Sequence, residues 1–351
     1  MGTKMNEIIE KNSDVLVRMP NWIGDAVMAT AALEMLHDLR PDLKLIVLLK
    51  PWVQDVIKNH PAVSEVIVYN PGRFPGRIRA FFKMVKQIRK RDFSTAVLFQ
   101  QNFESALLAY AGGIPVRIGR PNDLRRMLLN YPVHLSEDAM VHHQVEQYLA
   151  IAQYIVGQSQ TSYRPQVFLT DHDREEATAF IERLPGNGPI IPVAPGAAFG
   201  SAKRWPPDLV TDFLNAAVRR WNARVVFLGG RLEKTVSDEI LAGASERGFS
   251  MAADYSIMAQ AALIEKAGIC VSNDSGMMHV AAALKSVVTI ALFGPTNPLF
   301  SRPYGERHIV LHHQVDCWPC KYRTCPMDHR CMRSISVEEV LDTVETALRK
   351  R

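Results

Sequence analysis

Ile269-Cys270-Val271-Ser272-Asn273-Asp274-Ser275-Gly276-Met277-Met278-His279 is a short apolar run that leads directly into a carboxylate, a hydroxyl and a glycine. The helix-forming stretch Val280-Ala281-Ala282-Ala283-Leu284 follows it. A glycine at a strand-to-helix turn lets a ligand approach the backbone closely. The free N–H groups at a helix start favour an anion such as a diphosphate. The stretch therefore predicts an α/β fold with a nucleotide or nucleotide-sugar site at the end of a strand.

The same alternation of short apolar strands and helical patterns runs through almost the whole chain, which indicates parallel sheets covered by helices on both faces. This alternation of strand and helix patterns is interrupted over residues 157–171, a polar stretch that we interpret as a linker. We therefore predict two Rossmann-like domains, residues 1–170 and 171–351, which face each other across a cleft at the carboxyl ends of their strands. Whether the last helix packs back on the first domain is left open.

Composition is ordinary for a globular protein, with 47% hydrophobic and 22% charged residues in a chain of 351. No apolar run reaches the roughly 18–20 residues needed to cross a bilayer, and the polar N-terminus has no secretory signal pattern. The net charge of +5 is modest and does not indicate nucleic acid. These features predict a cytoplasmic protein without a nucleic-acid partner.

The loop after the first predicted strand carries a candidate catalytic carboxylate. It reads Met19-Pro20-Asn21-Trp22-Ile23-Gly24-Asp25 and lacks the G-x-G-x-x-G fingerprint of nicotinamide-binding folds. Gly24 allows a tight turn. Asp25 is interpreted either as a helix N-cap or as a general base that accepts a proton from an acceptor hydroxyl.

Three loops of the second half offer groups for a phosphate or a ribose. Lys203 and Arg204 bring positive charge to a Gly- and Ala-rich loop, where they either neutralise a diphosphate or lie solvated on the surface. Glu233 either binds a ribose hydroxyl or serves as a first-turn helix residue. Asp274 either contacts the ligand or caps the following helix, and Ser275 is the other candidate for that N-cap. His279, one turn into that helix, either contacts phosphate or is a satisfied residue between the two domains.

Together these segments resemble the ADP-heptose:lipopolysaccharide heptosyltransferases, which are family 9 glycosyltransferases of the GT-B fold. The matching residues are 18–25, 195–200, 202–206 and 273–284. The resemblance implies transfer of L-glycero-D-manno-heptose from ADP-heptose, with inversion, to the lipopolysaccharide inner core at the heptose already attached to Kdo-lipid A. It implies Asp25 as the base and Lys203 near the donor phosphates. The expected donor-binding residues are Gly24, Arg204, Glu233, Asp274, Ser275, Gly276 and His279.

Other readings of the residues stay open. A heptosyltransferase of type I or III would use a different acceptor. A sugar-nucleotide epimerase of similar fold would need no acceptor. A nucleotide-sugar-binding module would bind ADP-heptose without catalysing a reaction. No acidic D-x-D pair of the metal-binding kind follows a strand. We therefore expect no obligate metal cofactor for transfer.

A basic segment in the first half suggests contact with a membrane. Residues 73–91 contain eight Lys or Arg residues and no acid, interleaved with apolar side chains. Such a helix is typical of membrane surfaces, although it is also compatible with a solvated face whose apolar side packs on the sheet. The resemblance favours peripheral contact with the inner membrane at its cytoplasmic face. The candidate residues for acceptor or membrane contact are Arg73, Lys83, Lys86 and Arg89.

Four cysteines cluster near the C-terminus. Cys317 and Cys320 form a Cys-x-x-Cys pair, and Cys325 and Cys331 follow at an irregular spacing. The pattern is compatible with a structural zinc site, with reduced thiols or with disulfides, and the sequence does not decide among the three.

Overall fold

The computed structural model describes residues 8–73, 75–135, 142–159 and 162–350, except for the side chains at positions 123 and 232. The chain divides after Phe168 into two compact units. Each unit contains one six-stranded sheet with helices. Every described strand pair is parallel. The predicted α/β class with two Rossmann-like sheets is confirmed.

Unit 1 has the strand order β3-β2-β1-β4-β5-β6. Its strands are β1 Asp14–Arg18, β2 Lys44–Leu49, β3 Glu65–Val68, β4 Thr95–Leu98, β5 Val116–Gly119 and β6 Tyr131–Pro132. Its described α-helices are α1 Ile23–Leu39, α2 Gln54–Ile57, α3 Gly76–Arg89, α4 Phe103–Ala111 and α5 Gln144–Val156. Strands β2 and β3 lie on one side of β1, and β4, β5 and β6 lie on the other. Loops after β1 and β4 therefore meet at the point where the order reverses, where α/β folds bind ligands.

Unit 2 has the order β12-β11-β10-β7-β8-β9. Its strands are β7 Ile190–Ala194, β8 Arg224–Phe227, β9 Phe249–Ser250, β10 Ile269–Asn273, β11 Val288–Phe293 and β12 Ile309–His312. Its described α-helices are α6 Asp171–Glu182, α7 Pro207–Trp221, α8 Arg231–Gly243, α9 Ile257–Ala267, α10 Gly276–Ala282, α11 Pro298–Ser301, α12 Arg330–Arg333 and α13 Val337–Arg349. Here the order reverses between β7 and β10.

The last helix packs within unit 2. Val340, Leu341 and Val344 of α13 are buried in the same apolar cluster as Phe213 of α7 and Val271 of β10. Each such aliphatic side chain contributes roughly 1.5–3 kcal/mol when it is fully buried. This helix therefore covers one face of the second sheet.

Among the described residues, no helix has both the length and the apolar character needed to cross a bilayer.

Candidate active site

Asn273 joins the two loops at the reversal point of the second sheet. Its side-chain amide donates to the Pro195 carbonyl at 2.7 Å, and its Oδ1 accepts from the Trp205 backbone N–H at 3.1 Å. Both partners belong to the loop after β7, whereas Asn273 is the last residue of β10. Asn273 therefore fixes the position of this loop relative to the following turn.

Asp274 is the meeting point of three loops. Its Oδ2 forms an ion pair with Lys203 Nζ and accepts from Thr296 Oγ1 at 2.7 Å. The Lys203 and Asp274 side chains are only 14% and 7% exposed, so solvent screens the pair little. The N-cap of α10 is Ser275, which makes no side-chain capping bond. The interpretation of Asp274 as a helix cap is therefore wrong, because its carboxylate is used in tertiary contacts.

Aromatic and backbone contacts surround Lys203. Its ammonium lies 5.2 Å from the centre of the Phe199 ring, and the Arg323 guanidinium lies 5.4 Å from the same ring. The Ala202 N–H donates to the Arg323 carbonyl at 3.0 Å. A Cβ on Gly200 would lie 2.1 Å from that carbonyl oxygen, so only glycine fits there.

Arg204 adds a second cation beside Lys203. Its Nε is buried and has no hydrogen-bond partner within the part of the chain that the structure describes. An unpartnered buried N–H costs free energy unless a ligand or water satisfies it. The prediction that Arg204 binds the donor is compatible with this position.

Glu233 lies close to the loop after β7. Its Oε2 accepts from the Gly230 N–H at 3.0 Å, as expected of a residue in the first turn of α8. A Cβ on Gly196 would lie 2.0 Å from Glu233 Cγ, which shows how closely the side chain approaches the loop. The first-turn interpretation is thus the one that the structure shows, and contact with a ribose stays a prediction.

The remaining residues that were predicted to bind the donor lie around the start of α10. Ser275 Oγ lies 3.3 Å from Ser272 Oγ, Gly276 is the first helical residue, and His279 is 6% exposed. His279 is thus a buried residue of α10, and both of its interpretations stay predictions. Sequence reasoning missed Gln260, whose side chain bonds both backbone groups of Gly229, at 2.7 and 3.1 Å.

Asp25 lies in the first turn of α1, where Trp22 is the N-cap. The N-cap interpretation of Asp25 is therefore wrong. Asp25 is partly buried, its carboxylate accepts from Gln144 Nε2 at 3.2 Å, and the same nitrogen lies 3.1 Å from the Tyr148 hydroxyl. Burial, and next the charge of Asp25, raise the pKa of Tyr148 well above its ordinary value. The Gln144 amide, which is also bonded to the Tyr148 phenol, thus donates to the carboxylate that was predicted to be the base.

Sequence reasoning missed the arginine that supports the Asp25 loop. Arg18 is buried and donates to the Met19 carbonyl at 2.6 Å and to Asn21 Oδ1 at 2.7 Å. Burial lowers its pKa to about 10, so it stays charged at neutral pH. Gln100, after β4, accepts from the Asn21 N–H at 2.8 Å. These bonds join the two loops at the reversal point of the first sheet. Gly24 is buried beside them.

The basic helix α3 has one buried and one exposed side. Met84, Val85 and Ile88 are buried, whereas Ile78 and Phe82 are 53% and 65% exposed. Exposed cationic residues at helical spacing share the outer face: Arg79, Lys83, Lys86 and Lys90.

Two of the predicted contact residues flank this face. Arg73 is exposed just before α3 begins. Arg89 donates from Nε to the Ala111 carbonyl at 2.8 Å, so it is bound to the end of α4.

The cysteine segment contacts the loops that surround Asp274. Cys320 N–H donates to the Pro295 carbonyl at 2.9 Å, and the Trp318 indole donates to the Thr296 carbonyl at 3.3 Å. All five cysteines of the chain are free thiols. Within the described residues, no group of three or more His, Cys, Asp or Glu side chains is arranged to hold a metal ion. The four candidate zinc ligands, Cys317, Cys320, Cys325 and Cys331, are all among the residues described.

Comparisons with known proteins point to one family. The family model described as "Glycosyltransferase family 9 (heptosyltransferase)" matches residues 81–330. The chain is 29% identical to lipopolysaccharide heptosyltransferase 2 of Escherichia coli (strain K12) over 308 residues, which covers 85% of this chain and 87% of that protein. It is 27% identical to lipopolysaccharide heptosyltransferase 2 of Salmonella typhimurium, over 95% of this chain and 98% of that protein.

Solved structures agree with these matches. The structure of E. coli ADP-heptose LPS heptosyltransferase II superposes with a TM-score of 0.82 at 26% identity, covering 96% of this chain and 99% of that one. The family 9 glycosyl transferase from Veillonella parvula has a TM-score of 0.87 at 22% identity, covering 98% and 99% of the two chains.

Proposed function

Because the chain belongs to glycosyltransferase family 9, the heptosyltransferase family, we propose that it transfers heptose from ADP-heptose to the inner core of lipopolysaccharide. The acceptor is the heptose already attached to Kdo-lipid A, as the similarity to heptosyltransferases of type II suggests. The observation that supports this most strongly is the junction of Lys203, Asp274 and Thr296 at the reversal point of the second sheet.

Unit 2 carries the donor groups. Asp274 pairs with Lys203 and fixes its ammonium in place. When the donor binds, Lys203 and Arg204 face the diphosphate and stabilise the negative charge that develops on departing ADP. Asp274 and Thr296 then serve as positioning residues.

Unit 1 carries the base. We propose that Asp25 accepts the proton of the acceptor hydroxyl while the hydroxyl oxygen attacks the anomeric carbon of the donor. The bond between that carbon and the diphosphate oxygen breaks, and ADP leaves with its electron pair. A single displacement of this kind inverts the anomeric centre. No metal is required in this scheme, because cationic side chains take the leaving-group charge.

The test is ADP release from ADP-heptose with defined core acceptors. Release only with the one-heptose acceptor supports the proposal. Release with heptose-free Kdo-lipid A identifies a type I enzyme, and release with the two-heptose core a type III enzyme. ADP-heptose that is isomerised without acceptor identifies an epimerase, and binding without turnover identifies a binding module.

We further propose that α3 contacts the cytoplasmic face of the inner membrane. Its outer face combines Arg79, Lys83 and Lys86 with the exposed Ile78 and Phe82. Cations attract anionic lipid head groups, and exposed apolar side chains enter the interface. Arg89 contributes less, because its guanidinium is bonded to Ala111.

Replacing Arg79, Lys83 and Lys86 by Glu is expected to abolish flotation with vesicles of phosphatidylglycerol and phosphatidylethanolamine. The wild type should float at low salt and lose binding as salt is added, because exposed charges are screened. A matched control replaces the exposed Lys285, Arg307 and Lys350 of unit 2 by Glu, an equal change in charge. Equal flotation of both triple variants would remove α3 as the membrane contact.

A further inference from the structure

The 3₁₀ turn Asp123–Leu128 exposes two large apolar side chains. Leu124 and Met127 are 66% and 75% exposed, the two highest values among the large apolar residues of the described ranges. They lie three positions apart, and in a 3₁₀ turn side chains at this spacing lie one above the other. Neighbouring exposed apolar groups of this kind mark a surface that contacts a membrane or another molecule.

The backbone of this turn is held at both ends. Asn122 Nδ2 donates to the Gln101 carbonyl at 3.1 Å, and Arg117 Nε donates to the Leu128 carbonyl at 2.7 Å. Leu129, directly after the turn, is buried in the apolar cluster of unit 1. The two exposed side chains are therefore presented by a fixed backbone, and a bound surface would not have to order the turn first.

The turn continues an exposed apolar surface that begins on α3. Helix α4 packs against both α3 and the turn, and Phe81, Leu108 and Leu128 from these three elements contribute to one apolar cluster. Each of the three elements also carries two large apolar side chains that are exposed, which are Ile78, Phe82, Phe103, Tyr110, Leu124 and Met127. The exposed apolar groups of α3 are thus one part of a wider surface.

The same three elements are positively charged. They contain seven Lys or Arg residues, six of them exposed, and two acids. One of the acids, Glu104, accepts from the Tyr69 hydroxyl at 2.7 Å and from Arg77 at 2.8 Å, which compensates its charge. Anionic head groups attract cations, and the bilayer interface accepts apolar side chains. A second copy of this chain would bring like charges together, so charge complementarity favours an anionic bilayer as the occupant.

The turn lies at the edge of the first sheet that carries the candidate base. It follows β5, as Asp25 follows β1, and parallel strands have their carboxyl ends at one edge. Gln101, which accepts from Asn122, is the neighbour of Gln100, which accepts from the Asn21 N–H. Two successive residues therefore join the turn to the loop that precedes Asp25.

We propose that Leu124 and Met127 insert into the bilayer as an apolar anchor and hold the carboxyl edge of the first sheet at the membrane surface. This inference rests on the proposed function, in which the acceptor saccharide is attached to lipid A. The cations of α3 supply attraction to head groups, which salt screens. The turn adds an attachment that salt does not screen and that brings the candidate base to a lipid-embedded acceptor.

The binding test uses the double variant Leu124→Ser, Met127→Ser with vesicles of phosphatidylglycerol and phosphatidylethanolamine. We expect the partition coefficient to fall about 10- to 100-fold, because two apolar side chains lose their burial in the interface. The ratio of wild-type to variant binding should stay the same as salt is added, since apolar transfer is not screened. The matched control is Leu299→Ser, Phe300→Ser, which removes two exposed apolar side chains of α11. Equal partitioning of the two double variants would overturn the proposal.

Fluorescence reports insertion directly. Met127→Trp adds an indole at the turn, and its emission should be quenched by lipids that carry bromine on their acyl chains. The wild type gives the background of the five native tryptophans, and Phe300→Trp is the control. Quenching no stronger than that of Phe300→Trp would refute insertion. A dimer that sedimentation detects without lipid, and that the double serine variant loses, would instead identify a contact between copies and contradict the anchor.

Kinetics separate the anchor from the transfer reaction. With the acceptor embedded in vesicles, kcat/KM of the Leu124→Ser, Met127→Ser variant should fall about 10-fold or more, in step with its partitioning. With the deacylated acceptor in solution, kcat and KM should equal those of the wild type, because exposed substitutions disturb the fold little. Equal losses with both acceptors would place the two residues in the active site and contradict the anchor. If no acceptor supports transfer, the proposed function fails, whereas partitioning and quenching still decide on the anchor.

Discussion

Asp25→Asn is expected to lower kcat by about 10²- to 10⁴-fold, the contribution of a general base in a proton-transfer step. Asparagine keeps the size of the side chain and can still bond Gln144, but it cannot accept the proton of the acceptor hydroxyl. The affinity for ADP-heptose should stay the same, because the groups proposed to bind the donor lie in unit 2. Single-turnover ADP release measures the rate, and calorimetric titration with ADP measures the affinity.

The matched control for this variant is Asp38→Asn, the same change at an exposed position of the same helix. It should keep wild-type turnover. If Asp25→Asn turns over at the wild-type rate, Asp25 is not the base. If turnover and ADP affinity fall together, the loss comes from misfolding rather than from chemistry.

Lys203→Met is expected to lower kcat/KM by about 10²- to 10³-fold, the usual cost of removing one charged group that stabilises a leaving oxyanion. The ammonium is held by Asp274 and by the Phe199 ring, so it loses little freedom when the donor binds. Steady-state kinetics with varied ADP-heptose measures the effect. Lys285→Met, at an exposed lysine of the same unit, is the control.

A second variant separates the catalytic effect from a loss of stability. Removing one partner of a buried ion pair leaves the other charge uncompensated, which costs about 3–5 kcal/mol. Lys203→Met should therefore melt at a lower temperature than the wild type. The double variant Lys203→Met with Asp274→Asn removes both charges and should recover most of that stability while its activity stays low. Recovery of activity in the double variant would contradict a direct role for Lys203.

Much of the fold followed from periodicity, because buried parallel strands are short apolar runs and their ends carry turn residues. The role of Asp274 did not follow. A carboxylate before a helix usually caps it, and only the fold reveals Lys203 and Thr296, 71 and 22 positions away, on its oxygen. Asp25 was ambiguous for the same reason, since its partner Gln144 lies 119 positions along the chain.

The cysteine segment supports the loops that are proposed to bind the donor, and this support depends on the chemical state of its thiols. Backbone bonds from Cys320 and Ala202 join this segment to the loops that carry Thr296 and Lys203. No cysteine needs to touch a substrate for an alkylating or oxidising reagent to disturb those loops. We therefore expect the measured activity of a preparation to depend on whether its thiols were kept reduced during purification and storage.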